Sequence, residues 1–356
     1  MAYTTIDDPS AYHQTITYTG NEASRSITNT GNSDLKPDWV WIKERNNTVS
    51  HRIFDSSRGA TKRMFSNNTD AESTQSNSLT AFNTDGFSLG DGTSVNGNSD
   101  TYVAWQWKAN GGTTASNSDG SITSTVQADT TAGFSIVSYT GTGSNGTVGH
   151  GLGVVPKMYI VKNRNATQPW WTFHTELGGE GNLRLNDTGA DYSDSSVWND
   201  TAPTSSVFSV GTNTGSNGSG NSIIAYCFAE IKGYSKFGKY TGNGTGSFGP
   251  FATGTFVYTG FKPAWVMIKR TDSTNGWTVF DSTRDPHNVV GNQLIPNSSG
   301  AEEADASHHS ERDYLSNGFK LKGNGNDINA NGANYIYMAF AEHPFVSSKG
   351  VPVTAR

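Results

Sequence analysis

One cysteine, Cys227, stands in 356 residues, so no disulfide can form within the chain and packing alone must hold it. Charged residues make up only 16%, against the ~25% usual for globular domains. The formal charge is −6, and Lys and Arg never cluster beyond scattered pairs. Nucleic acid is therefore not an expected partner, because phosphate binding needs a concentrated basic footprint. No apolar run reaches the ~18 residues of a membrane span, so none is expected. The opening Met1-Ala2-Tyr3-Thr4-Thr5-Ile6-Asp7-Asp8 has no basic n-region and no apolar h-region, and no signal peptide is expected. Apolar spacing of the helical kind is almost missing; only Ala301 to Asp313 is expected to hold a helical turn.

Ser, Thr, Asn and 41 Gly fill the deficit in charge. Asn96-Gly97, Asn145-Gly146, Asn217-Gly218 and Asn331-Gly332 read as tight turns, since both residues tolerate positive φ. Between the turns runs a pattern in three copies. Pro37-x-Trp39-Val40-Trp41-Ile42-Lys43 ends in Phe54, Pro156-x-Met158-Tyr159-Ile160-Val161-Lys162 in Phe173, and Pro263-x-Trp265-Val266-Met267-Ile268-Lys269 in Phe280. Each copy is preceded by Tyr-Thr-Gly, at Tyr18, Tyr139 and Tyr240, and followed by a Phe two residues before an aliphatic, at Phe87, Phe208 and Phe319. Each closes on strict alternation: Val103, Trp105 and Trp107; Ile224, Tyr226 and Phe228; Ile336, Met338 and Phe340. A period of two with large residues on one face indicates a half-buried strand. The three prolines are 119 and 107 residues apart, too long for a solenoid unit and right for a small β domain. The expected fold is all-β: three tandem homologous β-sandwich modules, lectin-like or jelly-roll-like, over 1–111, 112–232 and 233–346, with an extended arm over 347–356.

Most chemistry-bearing residues read as framework. Cys227 occupies the slot of Gln106 and Ala339 in the sister modules, as a packed small residue would. Gly141-Thr142-Gly143-Ser144-Asn145-Gly146 satisfies G-x-G-x-x-G, but no helix follows to hold a pyrophosphate, so no cofactor is expected. Asp327-Ile328-Asn329-Ala330-Asn331-Gly332 resembles the start of a calcium loop. Its twelfth position is Met338 instead of Glu, so a hairpin turn is expected, with an adventitious cation near Asp327 as the alternative. His308 and His309 with Glu302, Glu303, Asp305 and Glu311 match no metal spacing, and no metal site is expected. Asp55-Ser56-Ser57-Arg58 and Asp281-Ser282-Thr283-Arg284 recur at one position, as a bracing Asp–Arg pair would and an active site would not. Trp170, Trp171 and Trp198 break the repeat and are the candidate ligand or interface residues. Neighbours on a strand face opposite ways, so Trp171 is expected to face outward, for sugar stacking or a subunit contact.

The segments Tyr3 to Pro9, Lys36 to Arg45, His150-Gly151-Leu152-Gly153 and Tyr335 to Glu342 resemble a family of tail-fibre-like virion proteins of marine tailed bacteriophages (cyanophage and pelagiphage type). The resemblance implies tandem lectin-like sandwiches on a phage particle, made in the host cytoplasm, released by lysis and often homotrimeric. Its implied partners are other virion proteins and a host-surface glycan. The expected role is a non-enzymatic fibre or receptor-binding component. The alternatives are a capsid decoration, head-fibre or collar protein, or a glycan depolymerase with Glu176, Asp194 and Asp200 as possible carboxylates.

Overall fold

The computed structural model describes residues 3–246, 253–304 and 309–353. Each Pro–Lys segment forms a strand, and each takes the same place in a four-strand antiparallel run. An opening strand leads into Tyr-Thr-Gly: His13–Thr19, Phe134–Thr140 and Ser235–Thr241. It pairs with a closing strand, Thr101–Trp107, Ser222–Phe228 or Asn334–Pro344. The closing strand pairs next with a Lys strand, Trp39–Glu44, Met158–Asn163 or Phe261–Arg270. Last comes a Phe strand, Arg52–Asp55, Trp171–His174 or Trp277–Asp281. The order opening–closing–Lys–Phe therefore occurs three times. A small outer sheet packs on each inner one, built on Arg25–Ile27, Gly146–Gly149 or Phe256–Tyr258 paired with the strand that carries Phe87, Phe208 or Phe319. The molecule is all-β.

The alternation of the closing strands has a different physical basis from the one the sequence suggests. Tyr102 and Ala104, Ile223 and Ala225, and Tyr335, Tyr337 and Ala339 point into three separate cores, each between an inner and an outer sheet. Val103, Trp105 and Trp107, with their counterparts in the other repeats, point the other way into one core shared by all three. Both faces of each closing strand are thus buried. Contacts across the shared core are aromatic: Trp107 lies 5.4 Å from Trp265, Trp39 4.8 Å from Tyr226 and Phe228 6.2 Å from Phe340.

The repeats close into a ring through equivalent hydrogen bonds. His51, Trp170 and Trp277 share one repeat position. Trp170 Nε1 donates to Phe65 O at 2.7 Å, Trp277 Nε1 donates to Arg184 O at 2.9 Å, and His51 Nε2 lies 3.1 Å from Ile295 O. The second repeat thus reaches the first, the third reaches the second, and the first reaches the third. This is an approximate threefold arrangement within one chain.

Tyr-Thr-Gly has a structural reason. Tyr18, Tyr139 and Tyr240 donate to Val95 O, Ser216 O and Ile328 O, at 2.8, 2.5 and 2.7 Å. The following Gly20, Gly141 and Gly242 abut the same turns; a Cβ there would lie 2.1, 2.2 and 2.3 Å from backbone oxygens. Buried Asn96, Asn217 and Asn329 each donate to two carbonyls of neighbouring loops.

Three local expectations are corrected. Single helical turns occur at Thr93–Asn96, Ser195–Trp198 and Thr214–Asn217, and no described residue of 301–313 is helical. Asn96-Gly97 and Asn217-Gly218 close two of these turns with φ of −60° and −55° at the glycine; of the expected turn glycines Gly332 takes positive φ. The described part of the C-terminal arm folds back, with Val353 N donating to Phe345 O at 3.0 Å.

Candidate functional site

None of the three tryptophans singled out by the sequence is at the surface. Trp170 lies in the shared core, while Trp171 and Trp198 lie in the second repeat's own core. Trp171 is 3% exposed and roofed by Arg184, 4.9 Å above its ring, which corrects the outward placement. The alternation rule holds, but the Phe strand has a core on either side. Adjacent residues therefore both bury.

The repeated Asp–Arg pairs sit at the joints between repeats. Asp55 pairs with Arg58, which bonds Glu72 at 3.2 Å, and Glu72 pairs with Arg164 of the second repeat at 2.9 Å. The third repeat does the same to the first: Asp281–Arg284 at 2.6 Å, Arg284–Glu302 at 2.8 Å and Glu302–Arg45 at 2.7 Å. Burial alone would raise Glu72 and Glu302. Hydrogen bonds from Arg164 and Arg45 and the charge of Arg58 and Arg284 outweigh it, and both carboxyls sit below their usual range. At the third joint Thr271 replaces the arginine and Asp191 the glutamate; the backbone bond Asp191 N to Thr271 O persists at 2.8 Å. Without a cation, burial raises the Asp191 pKa. These networks are framework.

Other sequence candidates resolve in the same way. Cys227 is buried and its thiol pKa is pushed up by burial. Asn329, inside the calcium-like stretch, is one of the loop-stapling asparagines. His309 Nδ1 lies 2.8 Å from Asn324 Oδ1, whereas His308 and Asp305 lie outside the described residues. Among the described residues no three His, Cys, Asp or Glu converge as metal ligands would. Of the carboxylates considered for glycan cleavage, Glu176 pairs with Lys239 at 3.2 Å and Asp194 caps Ser195–Trp198 through Ser196 N. A cleft of about 310 Å³ in the third repeat includes Lys262, Asp285, His287 and Glu342, but Lys262 and Glu342 already neutralise each other at 2.8 Å.

The surface feature that stands out is aromatic. Phe256 and Tyr258 are 44% and 54% exposed, against 9% or less for the aromatic residues of the cores. They lie on the outer sheet of the third repeat with Val257 buried between them. Spaced i and i+2, they point to the same side about 7 Å apart. The Phe256 ring leans diagonally over Gly318, the residue opposite Tyr258 on the neighbouring strand, where a Cβ would come within 3.1 Å of the ring. Tyr3 flanks the pair: its hydroxyl donates to Gly260 O at 2.8 Å and lies 3.5 Å from that of Tyr258. Lys232 Nζ sits 4.5 Å over the Tyr3 ring, and Phe345 meets that ring edge-on at 6.5 Å. Lys320 is directly opposite Phe256 in register. Aromatic faces with hydroxyl and ammonium donors at their rim suit a ligand that is apolar on one side and hydroxylated on the other. Aligning the repeats could have exposed the feature, because Ser26-Ile27-Thr28 and Thr147-Val148-Gly149 carry no aromatic there.

No curated protein matches the chain. A family model described as Domain of unknown function (DUF7483) matches residues 8–344, which include all three inner sheets and the aromatic face, and the chain belongs to that family.

Proposed function

We propose that this chain is a non-enzymatic structural protein of a phage particle, a tail-fibre or receptor-binding component that contacts a host-surface glycan through Phe256 and Tyr258. The observation that carries the reading is this same-face exposed pair on an otherwise weakly charged surface. Sugar rings present C–H faces to aromatics and hydroxyls to polar rims, and Tyr3, Lys232 and Lys320 supply such a rim. The resemblance of the strand segments to marine phage fibre proteins points to the same role. A rigid ring of repeats is a suitable carrier, since binding surfaces work best when a packed scaffold holds them. Purified protein should adsorb saturably to host cells or host polysaccharide, and a Phe256→Ala/Tyr258→Ala variant should lose adsorption. Retention of full adsorption by that variant rejects the assignment of the face.

An architectural role on the particle is the second reading. It is favoured by the opening strand His13–Thr19, which ends its sheet and whose outer edge lacks a backbone partner among the described residues. Imaging the protein on virions separates the two: a tail-tip position supports adhesion, and a capsid or collar position supports assembly.

A further inference from the structure

The three opening strands occupy equivalent positions but meet different neighbours at their outer edges. In the second repeat the edge is filled. Ser124–Asp129 pairs antiparallel with Phe134–Thr140, setting Gln127 opposite Ile136 and Val126 opposite Val137. Gln127 also reaches into the first repeat, donating from Nε2 to Ser56 Oγ at 2.9 Å and Ser57 Oγ at 2.8 Å. In the third repeat the edge carries two lysines. Lys236 pairs with Glu230 and Lys239 with Glu176, and such charges discourage strand addition.

The first repeat has neither device. His13–Thr19 reads His-Gln-Thr-Ile-Thr-Tyr-Thr, with no lysine, proline or bulge. Tyr12 O accepts from Lys108 N of the closing side, so by alternation His13, Thr15 and Thr17 turn their backbone groups outward. Among the described residues no backbone group meets them; Thr283 Oγ1 approaches Thr15 O at 3.4 Å. Beside this edge lies a cleft of about 180 Å³ whose walls include His13, Thr15, Ser282 and Thr283. Ser282 and Thr283 correspond to Ser56 and Ser57, the partners of Gln127 in the filled joint. Two polar atoms of the cleft walls, His13 Nε2 and Thr15 Oγ1, are buried without a hydrogen-bond partner among the described residues, and His13 is 4% exposed. Buried polar atoms are normally paired, and a donated strand bearing an amide or hydroxyl at this level would supply both.

We propose that the edge of His13–Thr19 is a docking site for an extended strand of a partner polypeptide. The strand adds antiparallel, as Ser124–Asp129 does on the equivalent edge, in a register of about six residues. Its chemistry follows from the walls. It is uncharged, carries an amide or hydroxyl side chain opposite Thr15 to meet His13 Nε2 and Ser282, and places a small β-branched residue opposite Ile16. Because the cleft is walled by two repeats, the donor is a free segment and not the folded edge of a second copy.

The probe is a labelled synthetic peptide of residues 121–130 carrying Asp129→Asn, which leaves it without a charged side chain, titrated into the full chain. Saturable binding is expected, together with slowed hydrogen exchange at the Thr15 and Thr17 amides. Thr17→Lys copies the guard at Lys239, and Thr15→Pro removes an outward N–H while leaving the inner ladder intact. Each should weaken peptide binding on the order of tenfold or more, with melting temperature and near-UV dichroism unchanged. No binding, or binding indifferent to Thr17→Lys, overturns the proposal. So does slow exchange of both amides in the free protein, which would mean the edge is already covered. Self-association of the chain that Thr17→Lys abolishes also overturns it, by making a second copy the occupant.

Discussion

The indole N–H of Trp105 donates to the carboxylate of Asp281 at 3.0 Å, joining the first repeat to the third across 176 residues. The same bond is made one joint along, where Tyr226 OH donates to Asp55 Oδ2 at 2.6 Å. At the remaining joint Met338 holds the donor's position and cannot donate. His174 replaces the aspartate there and lies 3.2 Å from Tyr337 O. Donor and acceptor have changed together, so each joint keeps its polar atoms satisfied in its own way.

Asp281→Ala should destabilise the protein by about 3–5 kcal/mol, because it takes one of two carboxylate partners from the buried Arg284 guanidinium, leaving Glu302, and removes the acceptor of the Trp105 N–H. His174→Ala breaks a neutral contact and should cost about 1–2 kcal/mol. Urea unfolding of the two variants checks the difference; equal losses would show that the Asp281 network is not under ionic control.

The turn staples should be nearly as sensitive. Asn217→Ala removes donors to Ser144 O and Gly211 O and the acceptor of Thr142 N, an expected loss of about 2–4 kcal/mol. Gly141→Ala sets a Cβ 2.2 Å from Gly218 O and should cost roughly 1–3 kcal/mol through forced displacement. Thermal melts of both variants are the measurement.

Stability should depend on pH on both sides of neutrality. Lys43, Lys162 and Lys269 are buried at one repeat position, and burial pushes each pKa down to about 8. The unfolded chain holds these protons up to a pH near 10.5, so folding is penalised below pH 8 and stability rises as pH climbs from there. The rise should turn over near pH 9–10, where Cys227 and the buried Tyr139, Tyr159 and Tyr226, all raised by burial, ionise in the unfolded chain alone. On the acid side, burial holds His13 and His174 at about 4, so stability should fall as pH drops from 6.5 to 4. Melting temperature against pH tests the profile, and Lys162→Met should remove about a third of the alkaline rise.

Unfolding should be a single transition. One core draws side chains from all three repeats, so an isolated repeat would expose a continuous apolar sheet face. Calorimetry of the whole chain should show one peak, and 112–232 expressed alone should aggregate or stay unfolded. Three resolved peaks would mean that the shared core contributes little.

Phe256→Ala/Tyr258→Ala should shift stability by less than about 0.5 kcal/mol per residue, because both rings are largely exposed. A larger loss by denaturant titration would mark them as packing residues and weaken their claim to be a binding face.

Much of this architecture can be read from residue spacing. The Pro–Lys–Phe register places all three Lys and Phe strands, and Tyr-Thr-Gly marks the turns that the buried asparagines staple. The shared core could not be read, because spacing reports which face is apolar and not what covers the other one. Trp171 shows the limit: adjacency to Trp170 implies opposite faces, and only the assumption of one wet face turns that into exposure. Phe256 and Tyr258 escaped notice because their strand is three residues long, too short for alternation to register. The paired exchange at His174 and Met338 is invisible until His174 is known to sit against the strand that carries Met338, at Tyr337 O.

The first and last described segments also meet. Asp7 Oδ1 accepts from Ser348 N at 2.6 Å, and Tyr3 reaches Gly260. With Asp7 and Ser348 in contact, the order in which the repeats are threaded is incidental to the closed ring they make. A short linker between residues 3 and 353, with the backbone reopened between 111 and 112, should give a permuted protein of the same form.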